Sequence, residues 1–318
     1  MATPSKKYER DISIKNDILS TIAYFDIFTY PLKKREIWLF LPTVYTHEEF
    51  ECALHLLVNN RTLFKLGEFY SLQNSYTIAH RRIKGNEKAK EMMIVAQRVA
   101  AFVSKFPYVR GVAVSGSLSK NFADDSSDID LFIITARNRL WIARTLLHCF
   151  KKLTFLVKKQ HLFCMNYFID EDHLEIAEKN IYTATEIATL LPLRGSVAFE
   201  KFYAANRWMN TFLPNKYLRV STAKKIDSPW VKWLTEKVLN NVVGNIFESL
   251  FMKITSKRWL AKTERKKLNT RGIIMGMSAA KYCAKPVPVN FQNKFIELYE
   301  RKVFELLHRN TVVMRPAP

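Results

Sequence analysis

The apolar positions in the first part of the chain repeat at helical spacing in three separate stretches. They predict helices over about residues 14–27, 31–40 and 47–59. Thr46 and Glu49, which stand three residues apart where the third stretch begins, form a possible capping box that would start that helix. The chain therefore opens with a small helical unit.

A short stretch with strand-like alternation follows this helical unit. Residues 61–72 read as two short strands about Gly67, and the order of three helices and a hairpin resembles winged-helix domains. The expected recognition helix, residues 47–59, begins His-Glu-Glu-Phe-Glu and contains no Lys or Arg. A helix that reads DNA usually presents basic or amide side chains near its start. We therefore favour a packing, dimerisation or regulatory module, with direct reading of duplex DNA as the lesser alternative.

The middle of the chain alternates between helical and strand-like patterns. Helices are predicted over about residues 86–106 and 137–159, and strands over residues 112–115, 129–135 and 161–170. Short apolar strands between amphipathic helices are typical of a sheet that packs against helices.

The loop between the first two of these strands contains the residues best suited to chemistry. Asp128 and Asp130 open the second strand, and side chains two apart on a strand point to the same face, with Cα atoms roughly 7 Å apart. Two such carboxylates can hold a hard cation such as Mg²⁺ together with phosphate oxygens. Gly116 and Ser117, which end the first strand, offer backbone N–H groups and a hydroxyl to a phosphate.

Ten residues separate Ser117 from Asp128, and Asp128-Ile129-Asp130 then leads into an apolar strand. This motif resembles that of the DNA polymerase β-like nucleotidyltransferase superfamily. The resemblance is densest over residues 111–135 and extends over about 88–215. It implies a mixed sheet with helices, and transfer of a nucleoside monophosphate from a nucleoside triphosphate to an acceptor with the help of two Mg²⁺ (or Mn²⁺) ions.

The resemblance also implies roles for single residues. Asp128 and Asp130 would bind the metal ions, Gly116 and Ser117 would bind the β- and γ-phosphates, and Lys120 would assist as a point charge. The acceptor hydroxyl could belong to RNA, a protein or a small molecule, and the sequence does not distinguish these.

The third carboxylate that the superfamily usually places on a later strand has no clear counterpart. If residues 161–170 form a strand, Asn166 and Asp170 lie on one face of it. Asn166 is in the middle of the strand but is a weaker cation ligand, whereas Asp170 is charged but stands at the strand end. Both residues stay candidates for the third metal ligand, although we slightly favour the interpretation that Asp170 is an ordinary turn residue.

The chain divides into three predicted units. We expect a winged-helix-like domain over residues 1–78, a nucleotidyltransferase domain over 79–215 and a basic, mainly helical region over 216–318. The predicted fold class is α+β, with a nucleotidyltransferase-type mixed sheet between the winged helix and the helical C-terminal region.

The net charge of +21 indicates contact with a polyanion but does not identify it. Residues 253–271 concentrate eight Lys and Arg against a single Glu, more than an ordinary solvated helix face carries.

The sequence contains no run of eighteen or more apolar residues, so we do not expect a transmembrane segment. The four cysteines are scattered, without metal-binding spacing, and together with the polar N-terminus they favour a cytoplasmic protein.

Two further functions compete with an active transferase. One is a regulatory protein that keeps the fold and binds nucleotide or nucleic acid without turnover, which the unclear third carboxylate favours. The other is a basic protein that works at a membrane surface or as a scaffold, for which an amphipathic helix within residues 253–271 would be responsible.

Overall fold

The computed structural model describes residues 4–157, 160–216, 223–265, 275–288 and 291–313. Its first part consists of three helices and a small sheet: α1 (Pro4–Asp26), β1 (Leu32–Lys33), α2 (Lys34–Leu39), α3 (His47–Asn59), β2 (Phe64–Leu66) and β3 (Phe69–Ser71). The strand order is β1-β3-β2, and the hairpin turns at Gly67 with a φ of 65°. The three predicted helices and the hairpin are therefore present, but two helix starts differ from the prediction. Helix α1 begins ten residues earlier, and residues 32–33, where the second helix was expected to begin, form β1 instead.

The start of α3 shows why its position was predictable. The Glu49 amide donates to Thr46 Oγ1 over 3.2 Å, and the Thr46 amide donates to Glu49 Oε2 over 2.7 Å. This reciprocal capping box satisfies two amides that the helix itself leaves without partners.

The rest of the chain builds a six-stranded mixed sheet with the order β7-β4-β5-β6-β9-β8. Its elements are α4 (Tyr76–Val103), β4 (Val109–Val114), α5 (Gly116–Ser119), β5 (Asp130–Thr135), α6 (Leu140–Thr154), β6 (Cys164–Asp170), α7 (Ile181–Thr189), β7 (Leu191–Arg194), α8 (Ser196–Ala205), α9 (Trp230–Leu239), α10 (Val242–Glu264), β8 (Met275–Ala279), β9 (Cys283–Pro288) and α11 (Phe291–Val313). Strands β5 and β6 are parallel and α6 connects them, while the other neighbours are antiparallel.

Each face of the sheet packs against its own set of helices. Val112 and Val114 of β4 join a core with α4, α6 and α10, whereas Ala113 between them joins a second core with α7 and α8. This period-two alternation is what a sheet covered on both faces requires. The second core also reaches α1 and α11, so the first helix and the last described helix lie on the same side of the sheet.

One helix of this part begins earlier than the sequence predicted. Helix α4 begins at Tyr76, ten residues before the predicted start at residue 86. Its Arg82 is buried, donates to Glu36 Oε1 over 2.8 Å and lies over the Tyr30 ring. Pro192 lies within strand β7, at the sheet edge where a missing amide is tolerated.

The region after residue 229 is mainly helical, as predicted, but it also contributes β8 and β9 to the sheet. These strands were not predicted because their partner, β6, lies more than a hundred residues earlier in the sequence. Across the described residues, no helix has the length and hydropathy that crossing a membrane requires.

Candidate functional site

The turn after β4 lies directly against the Asp130 carboxylate. The Ser115 amide donates to the Asp130 carbonyl over 2.9 Å, which joins the two strands at this point. Gly116 follows with a φ of 68°, and a Cβ built on it would stand 2.5 Å from Asp130 Oδ2. Glycine is therefore needed twice, for the left-handed backbone and for the close approach of a carboxylate.

The loop that leads to the two aspartates is ordered by its own side chains. Asp124 Oδ1 accepts hydrogen bonds from the Ser126 amide, from Ser126 Oγ and from Ser127 Oγ at 2.8–3.1 Å. These bonds, chiefly the one from the Ser126 side chain, lower the pKa of Asp124. The Ala123 amide donates to the Gly85 carbonyl of α4 over 3.1 Å, which anchors the loop on that helix. The sequence rich in Ser and Asp thus makes a local turn just before Asp128.

Asp130 is the first residue of β5, and Asp128 precedes that strand by two residues. Both line the same pocket. Cys164 is paired with Asp130 across β5 and β6, and its burial, followed by the charge of Asp130, raises the pKa of the thiol to about 12. The thiol is therefore neutral, and the hard carboxylate oxygens are the ligands that this part of the pocket offers.

Asn166 reaches the pocket because β6 is irregular beside it. Leu131 pairs with Met165, but Phe132 pairs with Tyr167, so Asn166 is an extra residue with no partner of its own in β5. Such a bulge reorients side chains, and both Asn166 and Tyr167 line the pocket while Phe168 packs in the core on the other face. The strict alternation predicted for this strand does not hold here.

The structure does not bring Asp170 to the two aspartates. It pairs with Thr135 at the far end of β5, five register positions from the pairing of Asp130 with Cys164, and it is absent from the pocket lining. The buried carboxylate accepts hydrogen bonds from the Asn138 amide over 2.6 Å and from the Asp172 amide over 2.9 Å. Burial raises its pKa, and these two bonds partly oppose the rise. Its surroundings are those of a residue that holds a turn.

Lys120 lies in the pocket beside the glycine turn. Its Nζ donates to Glu186 Oε1 over 2.7 Å and to the Gly116 carbonyl over 3.2 Å. Both side chains are largely shielded from solvent, so the cation is held in place without being deeply buried.

The pocket has a volume of about 510 Å³ and two chemically different parts. One part is polar and contains Gly116, Ser117, Lys120 and the two aspartates. The other is an aromatic wall formed by Phe25, Phe28, Tyr30, Phe122, Phe132, Tyr167, Tyr182 and Phe202. A ligand with a polyanionic end and a flat or apolar end would match both parts.

Several pocket residues were not found by sequence reasoning. Phe25 and Phe28 come from the N-terminal unit, Tyr182 from α7, and Lys285 and Gln292 from β9 and the start of α11. Burial, with a further contribution from Glu186 and Asp130, raises the pKa of Tyr182, so its hydroxyl stays protonated near the carboxylates. No local pattern marks these residues, because only long-range packing brings them together.

Within the described ranges, no group of three or more His, Cys, Asp or Glu side chains is placed to hold a metal ion. Asp128 and Asp130 nevertheless fit a magnesium ion that takes its remaining ligands from substrate phosphates and water, since Mg²⁺ is commonly held by one or two carboxylates. Because Gly116 has no Cβ, the backbone of the phosphate-binding turn can lie directly beside Asp130 Oδ2, which would bring a bound phosphate close to the ion.

Comparison with protein families gives a match that covers this site. The family model described as "Nucleotidyltransferase domain" matches residues 96–191. Comparison with curated proteins and comparison with solved structures each gave no match. The matched segment contains β4, α5, β5, α6, β6 and α7, and with them the glycine turn and both aspartates. Residues 96–191 of this chain are therefore similar in sequence to nucleotidyltransferase domains.

Proposed function

We propose that the protein is a metal-dependent nucleotidyltransferase that moves a nucleoside monophosphate from a nucleoside triphosphate to an acceptor hydroxyl. The observation that carries the proposal is the close approach of Gly116 to the Asp130 carboxylate, in a pocket that Asp128 also lines. A phosphate-binding turn against a metal-binding carboxylate is the arrangement that a triphosphate with its cation needs.

The proposed roles follow from position in the pocket. Gly116 and Ser117 bind the β- and γ-phosphates through backbone N–H groups and a hydroxyl, and Lys120 neutralises part of their charge. Asp128 and Asp130 would hold Mg²⁺ or Mn²⁺, which would supply stabilisation of the negative charge that develops during displacement at the α-phosphorus. Asn166 would hydrogen-bond a phosphate, a ribose or a water in the pocket. Most of the rate acceleration then comes from positioning and charge neutralisation.

We assign the aromatic wall to the nucleobase or to an apolar part of the acceptor. Its rings offer faces and edges for stacking, and it lies in the same cavity as the carboxylates. The acceptor class, whether RNA, protein or small molecule, stays open.

We also propose that residues 1–78 form a winged-helix-like module that helps to build the pocket. In support, Phe25, Phe28 and Tyr30 line the pocket, and the α3 residue Glu49 pairs with Arg10 of α1. No Lys or Arg occurs in α3, which argues against a role for that helix in reading DNA. The nucleotidyltransferase domain would then span residues 79–215, followed by the C-terminal region over 216–318.

A nucleotide-binding protein without turnover is the second candidate. It is favoured by one observation, that Asp170 lies away from the pair and that no third acidic metal ligand joins Asp128 and Asp130 among the described residues. Such a protein would bind a nucleoside triphosphate and release no pyrophosphate.

The test is pyrophosphate release from ATP, GTP, CTP and UTP with Mg²⁺ or Mn²⁺, in the presence of total RNA, a protein extract or a metabolite pool. We expect release that requires the metal and is lost in Asp130→Asn. The matched control is Asp125→Asn, because Asp125 belongs to the same loop, is fully exposed and does not line the pocket.

Each outcome separates the two candidates. Release that disappears on chelation and in Asp130→Asn, but persists in Asp125→Asn, supports the transferase. Wild-type release in Asp130→Asn would show that the assigned metal role is wrong. Nucleotide binding without release in any pool would favour the regulatory protein.

A further inference from the structure

Helix α9 packs on the protein with its charged side and turns its apolar side to solvent. Lys232 is buried and its Nζ donates to the Ser104 and Val109 carbonyls over 2.9 and 2.8 Å. Glu236, one turn further on, accepts from the Tyr108 amide and from the Arg110 guanidinium. On the opposite side, Trp230 is 73% exposed and Trp233 is 57% exposed. This is the reverse of an ordinary surface helix, which buries its apolar stripe.

The first half of α10 continues the exposed apolar surface. Its Glu248 points inward and accepts from the Trp141 and Ile142 amides at the start of α6. We call the outward side of both helices the α9–α10 apolar face. It consists of eleven large apolar residues that are more than a third exposed: Trp230, Val231, Trp233, Leu234, Val238, Val242, Val243, Ile246, Phe247, Leu250 and Ile254. Single exposed apolar residues are ordinary, but a group of this size on consecutive helices indicates an interaction surface.

The exposed charges around this face are predominantly positive. Between residues 230 and 265 the acidic residues are Glu236, Glu248 and Glu264, and the first two are engaged inside the protein. The exposed cations of the same helices are Lys237, Lys253, Lys257, Arg258, Lys262 and Arg265. The predicted basic segment therefore lies partly on α10, while its Lys266, Lys267 and Arg271 fall outside the described residues.

We propose that the α9–α10 apolar face docks on an anionic lipid membrane surface. Exposed Trp, Leu and Ile side chains insert between headgroups, and the flanking Lys and Arg side chains attract anionic lipid. A second copy of the chain fits less well, because a symmetric contact would bring together the same cations on a protein of net charge +21. Nucleic acid fits less well, because eight of the eleven residues are Val, Leu or Ile, which offer no hydrogen bond and no stacking surface to bases.

The proposal is independent of the transferase reaction, because none of the eleven residues lines the pocket. Co-sedimentation of the full chain with phosphatidylcholine vesicles, with and without phosphatidylserine, tests it. We expect binding only when phosphatidylserine is present, and weaker binding as salt is raised. Trp230→Gln/Trp233→Gln should lower the partition coefficient about tenfold or more, since two interfacial anchors are lost. Lys257→Gln should lower it about fivefold, as expected for one surface cation.

The control is Val44→Gln/Ile94→Gln, which removes two exposed apolar side chains elsewhere, 59% and 56% exposed, and should leave vesicle binding unchanged. Equal binding to neutral vesicles would overturn the assignment to anionic lipid. Absence of vesicle binding would overturn the proposal altogether, and light scattering or an RNA-binding assay on the tryptophan variant would then identify a second copy or nucleic acid as the occupant. A normal thermal unfolding curve for each variant shows that a loss of binding is not a loss of fold.

Discussion

Substitution of Gly116 by alanine tests how the glycine turn and Asp130 act together. An alanine Cβ would stand 2.5 Å from Asp130 Oδ2, whereas ordinary contact begins at 3.4 Å. The carboxylate must therefore retreat by about 0.9 Å, or the turn must open by the same amount. A displacement of about 1 Å in a positioned group can cost on the order of a hundredfold in rate. We expect Gly116→Ala to lose pyrophosphate release by about that factor.

The same substitution also has a backbone cost, which must be separated from the effect on Asp130. A non-glycine residue in the left-handed region costs about 1–2 kcal/mol, and the lower entropy of the unfolded chain returns about 0.4–1 kcal/mol of that. The free energy of unfolding should therefore fall by about 1 kcal/mol. Gly67 provides a matched control, because its φ of 65° is nearly that of Gly116 at 68°, yet nothing lies within 4 Å of the position that an alanine Cβ would occupy there.

The two variants are compared by urea unfolding and by metal-dependent pyrophosphate release at saturating nucleotide. We expect Gly116→Ala to lose at least as much stability as Gly67→Ala, since it also displaces Asp130, with the loss of activity confined to Gly116→Ala. Full activity in Gly116→Ala would refute the reasoning, because the Asp130 carboxylate would then tolerate displacement. Equal loss of activity in Gly67→Ala would trace the effect to general destabilisation.

Three other predictions concern residues around the site and the sheet. Asn166→Ala should lower turnover about tenfold without changing stability. Asp170→Ala should leave turnover near normal and lower the free energy of unfolding by about 2 kcal/mol, since two amides lose their acceptor. The reverse pattern in paired kinetic and unfolding measurements would make Asp170 the functional residue. Lys120→Met should raise KM for the nucleoside triphosphate about tenfold with a smaller change in kcat, as expected for a ground-state phosphate contact, and Glu186→Gln, which retains the cation, should not raise KM. Burial lowers the pKa of Lys232 to about 8 from 10.5. Between these two pH values the unfolded chain binds more protons than the folded protein, so the free energy of unfolding should rise as pH increases from about 8 to 10.5. Urea unfolding of Lys232→Met at several pH values should lack this rise.

The sequence was sufficient where short-range chemistry decides the structure. The capping box at Thr46 and Glu49 and the turn at Gly67 depend on neighbouring residues, and they lie where the pattern predicted. The proximity of the Gly116-Ser117 turn to the aspartate pair was also predictable, because one short β-loop-β unit carries both; the roles of these residues stay predictions.

Sequence reasoning failed where distant segments meet. The bulge at Asn166 depends on the pairing of β6 with β5, which no pattern within β6 encodes. Strand β9 pairs with β6 from more than a hundred residues away, and the aromatic rings of the N-terminal unit reach the pocket only through long-range packing. For Asp170, charge and position at a strand end were visible, but its burial at the far end of the parallel pair was not.

The contact between α1 and α11 has a consequence for how the protein matures. Tyr24 of α1 packs against Phe295 of α11 with ring centroids 5.0 Å apart, and Lys302 pairs with Asp26. Phe28 of the aromatic wall stacks on Phe295 of α11, and Gln292 of α11 lines the same pocket. At about 5–20 residues per second of translation, tens of seconds pass between synthesis of α1 and of α11. During that interval the nascent chain already contains both aspartates but not α11, so a ribosome-bound chain should acquire the finished pocket only after α11 has been synthesised.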